Sequence, residues 1–193
     1  MTEAWHDLDG RTRLALPPRI RDWLALGSSM TAQVALAAGG PVDVEVLRQG
    51  PGRLLPDERH FFPGAIGPAT VREVCLSVRG RPLLVARTVL TSRRLQAHPT
   101  IRNLGTRALG SLLFVDGPPA WTARQVALLG PGAPLFGLVR QRHPGIAGGY
   151  WARRTLYRLF GEPLLVTEVL LPELVHLAAA RTEPPPERTR RAG

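Results

Sequence analysis

Six stretches of the chain have the composition and patterning of strands: residues 42–48, 71–79, 82–90, 121–129, 151–160 and 164–171. In a strand, successive side chains point to opposite faces, so a period of two separates the surroundings of the two faces. Gly80-Arg81 separates the second stretch from the third, and Gly161-Glu162-Pro163 separates the fifth from the sixth. Both read as tight turns. Loops this short cannot make a parallel crossover, so both pairs are predicted to be antiparallel.

Helical spacing occupies much of the remainder. Pro17-Pro18 suits a first helical turn, and Ile20, Trp23, Leu24 and Leu26 follow at near-helical intervals. Gly27-Ser28-Ser29 interrupts that pattern, and either serine can cap a second helix, which Gly39-Gly40-Pro41 ends. Residues 92–114 are long enough for a helix and a short second one, with Thr106 as a plausible cap three residues before Leu109. Segments 49–70 and 130–150 are rich in Gly and Pro and read as loops; long loops in a compact domain often serve as lids or binding loops. Residues 1–180 are expected to form one domain. The tail 181–193, with Pro184-Pro185-Pro186, is expected to be disordered. The fold class that results is α+β: one mostly antiparallel sheet of six strands with helices covering one face.

Composition narrows the possibilities. The chain has 193 residues, 44% of them apolar and 21% charged, which is a globular balance. One cysteine, Cys75, excludes an intramolecular disulfide framework and any cysteine-based zinc cluster, and it reads as a structural thiol. The five histidines are scattered, and none pairs with another at metal-ligand spacing. No P-loop, GxGxxG or GxSxG motif is present. No apolar run approaches the ~18 residues of a membrane span, and the N-terminus lacks a signal-peptide core. These features lead to the expectation of a cytoplasmic protein.

The net charge of +10 is carried entirely by arginine, because the sequence contains no lysine. An excess of this kind suits nucleic acid, an anionic surface or a small acidic ligand. The absence of a basic block or an aromatic–basic signature argues against nucleic acid.

Strand alternation singles out charges on apolar faces. In 164–171 one face carries Leu164, Val166, Glu168 and Leu170, and the other Leu165, Thr167, Val169 and Leu171, so Glu168 has no solvent side. In 71–79 Arg72 shares a face with Val74, Leu76 and Val78. Arg87, among Leu83, Val85 and Val89, is a third such charge. Arg153 and Arg154 are further candidate pocket cations, although a solvated strand face explains them more simply. Buried charges must be paired or hold a ligand. Two readings of Arg72 and Glu168 follow: a structural ion pair, or a pocket with one fixed cation and one carboxylate, suited to a small acidic substrate. Met30 and Leu109 fit core packing, or helix starts whose unpaired N–H groups favour an anion.

Five motifs in order resemble the chorismate lyase family. They are Trp23-Leu24-Ala25-Leu26-Gly27-Ser28-Ser29-Met30-Thr31, Val71-Arg72-Glu73-Val74, Ala86-Arg87-Thr88-Val89, the run from Leu104 to Phe114, and the run from Gly161 to Pro172. Ala108 and Thr91 stand where the family usually has proline. The resemblance implies a cofactor-free, metal-free enzyme that converts chorismate to 4-hydroxybenzoate and pyruvate for ubiquinone synthesis. It implies a six-stranded antiparallel sheet and a buried, lid-covered site. Arg72 and Glu168 fall on the family's catalytic, ligand-binding arginine and carboxylate, and Met30 and Leu109 fall on its two helix-start ligand positions. Chorismate and its product are thus the expected partners, and the chain is expected to act as a monomer without nucleic acid or a membrane span. The rival from another class is a non-catalytic binding module like the sensor domains of bacterial transcription regulators. Such regulators usually carry a helix-turn-helix domain ahead of the sensor, and the residues before Trp23 are too few for one.

Overall fold

Strand β7 (Glu162–Leu170) is buried along nearly its whole length, and its position explains why both of its faces are apolar. It lies at the centre of a seven-stranded, wholly antiparallel sheet in the computed structural model, which describes residues 5–117, 119–143 and 148–182. The other strands are β1 (His6–Asp7), β2 (Asp43–Gly52), β3 (Ala69–Val78), β4 (Arg81–Leu90), β5 (Trp121–Leu129) and β6 (Tyr150–Leu159). Their order is β1-β5-β6-β7-β4-β3-β2. The six predicted strands and their antiparallel pairing are present. The seventh, β1, is two residues long, too short to leave an alternation pattern.

Both predicted hairpins form, with their turns slightly displaced. Arg79 and Gly80 have φ of 53° and 71°, and Phe160 and Gly161 have 52° and 80°. Two successive residues of positive φ make the twist that matches two antiparallel strands. The turns are therefore Arg79-Gly80 and Phe160-Gly161, and Arg81, Glu162 and Pro163 already belong to strands.

Helices α1 (Gly10–Ala15), α2 (Pro18–Leu24) and α3 (Met30–Ala38) precede the main sheet. α3 is capped by the Ser29 hydroxyl, which accepts from the Ala32 N–H, and ends at Gly39 with φ 65°. Segment 92–114 forms three short helices: α4 (Arg93–Ala97), α5 (Pro99–Arg102) and α6 (Gly110–Leu113). Thr106 caps none of them; the residue before α6 is Leu109 itself. α2, α3 and α8 (Pro172–Thr182) pack on one sheet face, where Leu24, Val34 and Leu174 meet Val74, Leu76, Leu84 and Leu170.

The other face is also covered. Segment 130–150, read as a loop, contains α7 (Phe136–Arg142), whose Phe136 and Val139 pack on Cys75, Val85 and Val169. Residues 144–147 of that segment and the tail 183–193 lie outside the described residues. Segment 49–70 contributes the end of β2 and a 3-10 turn, Pro56–Phe61. That turn does not cover a site; its acidic side chains bind arginines on this face. Arg87 donates to Glu58 at 2.8 Å and to Glu73 at 2.7 Å, and Arg154 donates to Asp57 at 2.9 Å. Arg154 is 3% exposed and lies against the rings of Trp5 and Phe61, so it is a core cation and not a solvated one. Burial lowers its pKa to about 10, against the pull of Asp57. Burial also lowers Arg87, but its bonds to Glu58 and Glu73 outweigh that and leave it raised.

Removing one partner from such a buried cluster strands a charge. Arg87→Met leaves Glu58, which is 2% exposed, without its cation. The expected loss is about 3–5 kcal/mol, read as a lower midpoint in urea unfolding with unchanged slope. Cys75 is buried, and burial pushes its thiol pKa up. It should resist thiol reagents until the protein is denatured, and rapid labelling of the native protein would contradict this placement.

Candidate active site

The cavity face of the sheet carries Arg72, Val74 and Leu76 from β3, Leu84, Ala86 and Thr88 from β4, and Val166 and Glu168 from β7. Register fixes their relation. Arg72 lies opposite Thr88, and Ala86 lies opposite Glu168. Arg72 and Glu168 are thus separated by β4, two strand spacings of about 4.8 Å each, and offset along it by two residues. Between them the floor is Ala86 and Thr88, small enough to leave space above.

That space is a cavity of about 50 Å3, bounded also by Met30, Leu109 and Tyr157. All four residues picked out in the sequence line it. A second cavity of about 390 Å3 adjoins it, sharing Arg72, Thr88 and Leu109 and extending past Gln49, Leu90 and Ile101. The start of α3 and the segment through α6 form the wall opposite the sheet. Gly110 sits directly against Ser29: a Cβ there would lie 2.7 Å from the serine hydroxyl.

Arg72 and Glu168 are not each other's partner. Arg72 is 7% exposed, and one guanidinium nitrogen donates to the carbonyls of Gly105 (2.8 Å) and Arg107 (3.0 Å). Its other terminal nitrogen donates to the Gln49 side-chain oxygen. Three of the five N–H donors of an arginine are thereby engaged by neutral groups, and two remain. No carboxylate among the described residues lies within salt-bridge distance of Arg72. Burial without a counter-ion lowers its pKa.

Glu168 is paired with Arg153, which stands directly opposite it on β6. Arg153 Nε and a terminal nitrogen both donate to Oε2, at 2.9 and 2.6 Å. Arg153 is 1% exposed, which corrects its placement on a solvated strand face. Its remaining terminal nitrogen donates to the Leu26 carbonyl at 2.7 Å, which also accepts from Arg124 at 3.0 Å. Burial, and then the nearby Arg153, lowers the Arg124 pKa. Tyr157 adjoins this group, and burial followed by the charge of Glu168 raises its phenol.

The two parts of Met30 lie in different surroundings. Its side chain packs with Trp23, Leu24 and Val34, while its N–H, first in α3, has no intrahelical partner. Leu109 packs beside Leu113 and Phe114, and its own N–H stands ahead of α6. The sequence offered Arg153 as a candidate pocket cation, ranked behind a solvated one, and did not single out Arg124, Tyr157 or Gln49. A signal existed for Arg153: counting back equally from a Phe160-Gly161 turn places it opposite Glu168.

A Cβ at Gly110 must displace the Ser29 hydroxyl that caps α3. Gly110→Ala is expected to weaken binding of an aromatic carboxylate about tenfold, with little change in melting, measured by titration calorimetry. Unchanged affinity would show that the contact does not shape the site.

The fold is of a class found in solved structures of unlike sequence. PhnF from Mycobacterium smegmatis superposes with a TM-score of 0.56 at 14% identity, over 77% of this chain and 66% of that one. The effector domain of PhnF gives 0.51 at 15% identity, over 76% of this chain and 90% of that one. At such identity the likeness concerns the fold alone. Sequence is more specific. The model of the chorismate lyase family matches residues 4–179, and the chain belongs to that family. A protein of Azoarcus sp. named "Probable chorismate pyruvate-lyase" is 37% identical over 89% of this chain and 96% of its own length. One of the same name from Dechloromonas aromatica is also 37% identical, over 86% of this chain and 96% of its own. A third, from Methylococcus capsulatus, is 34% identical over 81% and 96%.

Proposed function

We propose that this protein is a carbon–oxygen lyase that converts chorismate to 4-hydroxybenzoate and pyruvate. The observation that carries the reading is Arg72, a buried guanidinium without a carboxylate partner, in one cavity with a carboxylate at the opposite side. An unpaired buried cation favours an anionic ligand. Arg72, assisted by the N–H groups of Met30 and Leu109, binds the ring carboxylate. Charge-assisted bonds of this kind fix orientation as well as affinity. Glu168 then faces the oxygens at the far end of the ring. Its Oε2 is occupied by Arg153, so Oε1 is the atom that meets the 4-hydroxyl and its neighbouring ether.

In the reaction the ring C–O bond to the enolpyruvyl group breaks, the hydrogen on the adjacent hydroxyl-bearing carbon is lost, and the ring becomes aromatic. The enolpyruvyl fragment gains that hydrogen equivalent and leaves as pyruvate. The protein supplies orientation and a fixed acceptor at the 4-oxygen. The small cavity and its neighbour of about 390 Å3 share Arg72, Thr88 and Leu109, and together they exceed the about 150 Å3 that suffices for a benzene-sized ring. The protein is proposed to work as a monomer in the cytoplasm, on a small-molecule substrate, in a route to ubiquinone. Among the described residues no helix is long and apolar enough to cross a membrane.

Purified protein incubated with chorismate alone should release 4-hydroxybenzoate and pyruvate in equal amounts, in the presence of a chelator as in its absence. No turnover would remove the lyase reading and leave a binding module. Arg72→Lys keeps the charge but loses the planar fork, and should cut both turnover and product affinity by at least about tenfold. Glu168→Gln keeps size and hydrogen-bonding reach. A loss of about 10²–10⁴-fold in turnover, with product still bound, marks a proton-transfer role; a much smaller loss marks orientation alone. Wild-type turnover with unchanged product affinity would remove Glu168 from the site.

A further inference from the structure

We infer that Arg153 is the positioning residue of this site: it fixes which oxygen of Glu168 faces the ligand and ties that carboxylate to the loop that builds the carboxylate-binding end. This rests on the proposed lyase reading and adds a residue and a linkage to it. Two donors of Arg153, at 2.9 and 2.6 Å, converge on Oε2 alone. A carboxylate held through one oxygen by two donors of a planar group cannot rotate freely, so Oε1 keeps one direction. Arg153 is also the largest side chain among the least exposed in the protein, walled in by its neighbours, so its own geometry is fixed.

The third bond extends the effect. Arg153 donates to the Leu26 carbonyl at 2.7 Å, the acceptor that Arg124 shares at 3.0 Å. Arg124 is itself held through Thr155 Oγ1 at 3.2 Å. Leu26 opens the Gly27-Ser28-Ser29 turn that leads into Ser29, the cap of α3, and Met30, whose N–H has no partner within the helix. One guanidinium therefore spans from the hydroxyl end of the ligand to the loop that sets its carboxylate end. A lysine at this position offers one ammonium and cannot make the paired contact to Oε2 while also reaching Leu26.

The test compares Arg153→Gln, Arg153→Lys, Glu168→Gln and the double variant Arg153→Gln/Glu168→Gln, each measured for kcat, KM for chorismate and melting temperature. If Arg153 acts through Glu168, Arg153→Gln lowers kcat about 10–100-fold. In the Glu168→Gln background the same change then costs less than about threefold more, because the group it positions is already disabled. Arg153→Lys should recover part of kcat, since a cation still meets Oε2, but should keep a raised KM, because the Leu26 carbonyl is then held by Arg124 alone and no longer tied to Glu168. The double variant also guards against misfolding, because it strands no buried carboxylate. Losses that multiply in the double variant, or kcat and KM unchanged in folded Arg153→Gln, overturn the inference. Wild-type protein that fails to release pyruvate from chorismate overturns the lyase reading instead, so the two failures are distinguishable.

Discussion

A guanidinium inside a protein must meet acceptors, and five sheet arginines here are buried: Arg72, Arg87, Arg124, Arg153 and Arg154. This requirement shapes much of the molecule. On one face the 3-10 turn brings Asp57 and Glu58 to Arg154 and Arg87, and Glu73 completes the second pair. Those pairs anchor a segment that has little apolar periodicity of its own. On the other face three buried arginines accompany one buried carboxylate, Glu168, and Arg153 takes it. Arg124 and Arg72 are left to backbone carbonyls and neutral side chains. The face with excess positive charge is the face with the cavity, and a carboxylate-bearing ligand corrects the imbalance.

The sheet gives this arrangement its precision. Strands are stiff, and hydrogen-bond register sets the spacing of Arg72, Ala86 and Glu168 without help from loops. The binding wall is of a different kind, assembled from the start of α3, α6 and the carbonyls of Gly105 and Arg107.

Much of this was legible in the sequence. Period-two alternation marked six strands, and the absence of a polar side in 164–171 marked Glu168 as a buried charge. Arg72 stood out on the same reasoning. The role proposed for Met30 and Leu109 belongs to their backbone N–H groups, which no side-chain pattern reports; only the family motifs pointed to them. Arg153 and Arg154 adjoin each other, so one points to each sheet face, and a pair of adjacent arginines looks like a wet strand unless the partners are known. Those partners come from register and from a 3-10 turn nearly a hundred residues away in sequence. The three-residue turn expected at Gly161 shifts the pairing, and with it the residue opposite Glu168. A turn at Phe160-Gly161, with positive φ at a phenylalanine, was not an evident choice from residue preference.

In the proposed mode of binding, one end of the cavity takes a carboxylate and the other takes the ring oxygen. A crystal structure with 4-hydroxybenzoate bound tests this most directly. The ligand carboxylate is expected within hydrogen-bond distance of Arg72 and the N–H groups of Met30 and Leu109. The hydroxyl is expected on Glu168 Oε1, with Arg153 still on Oε2. A ligand lying wholly in the larger neighbouring cavity, with Glu168 untouched, would contradict it.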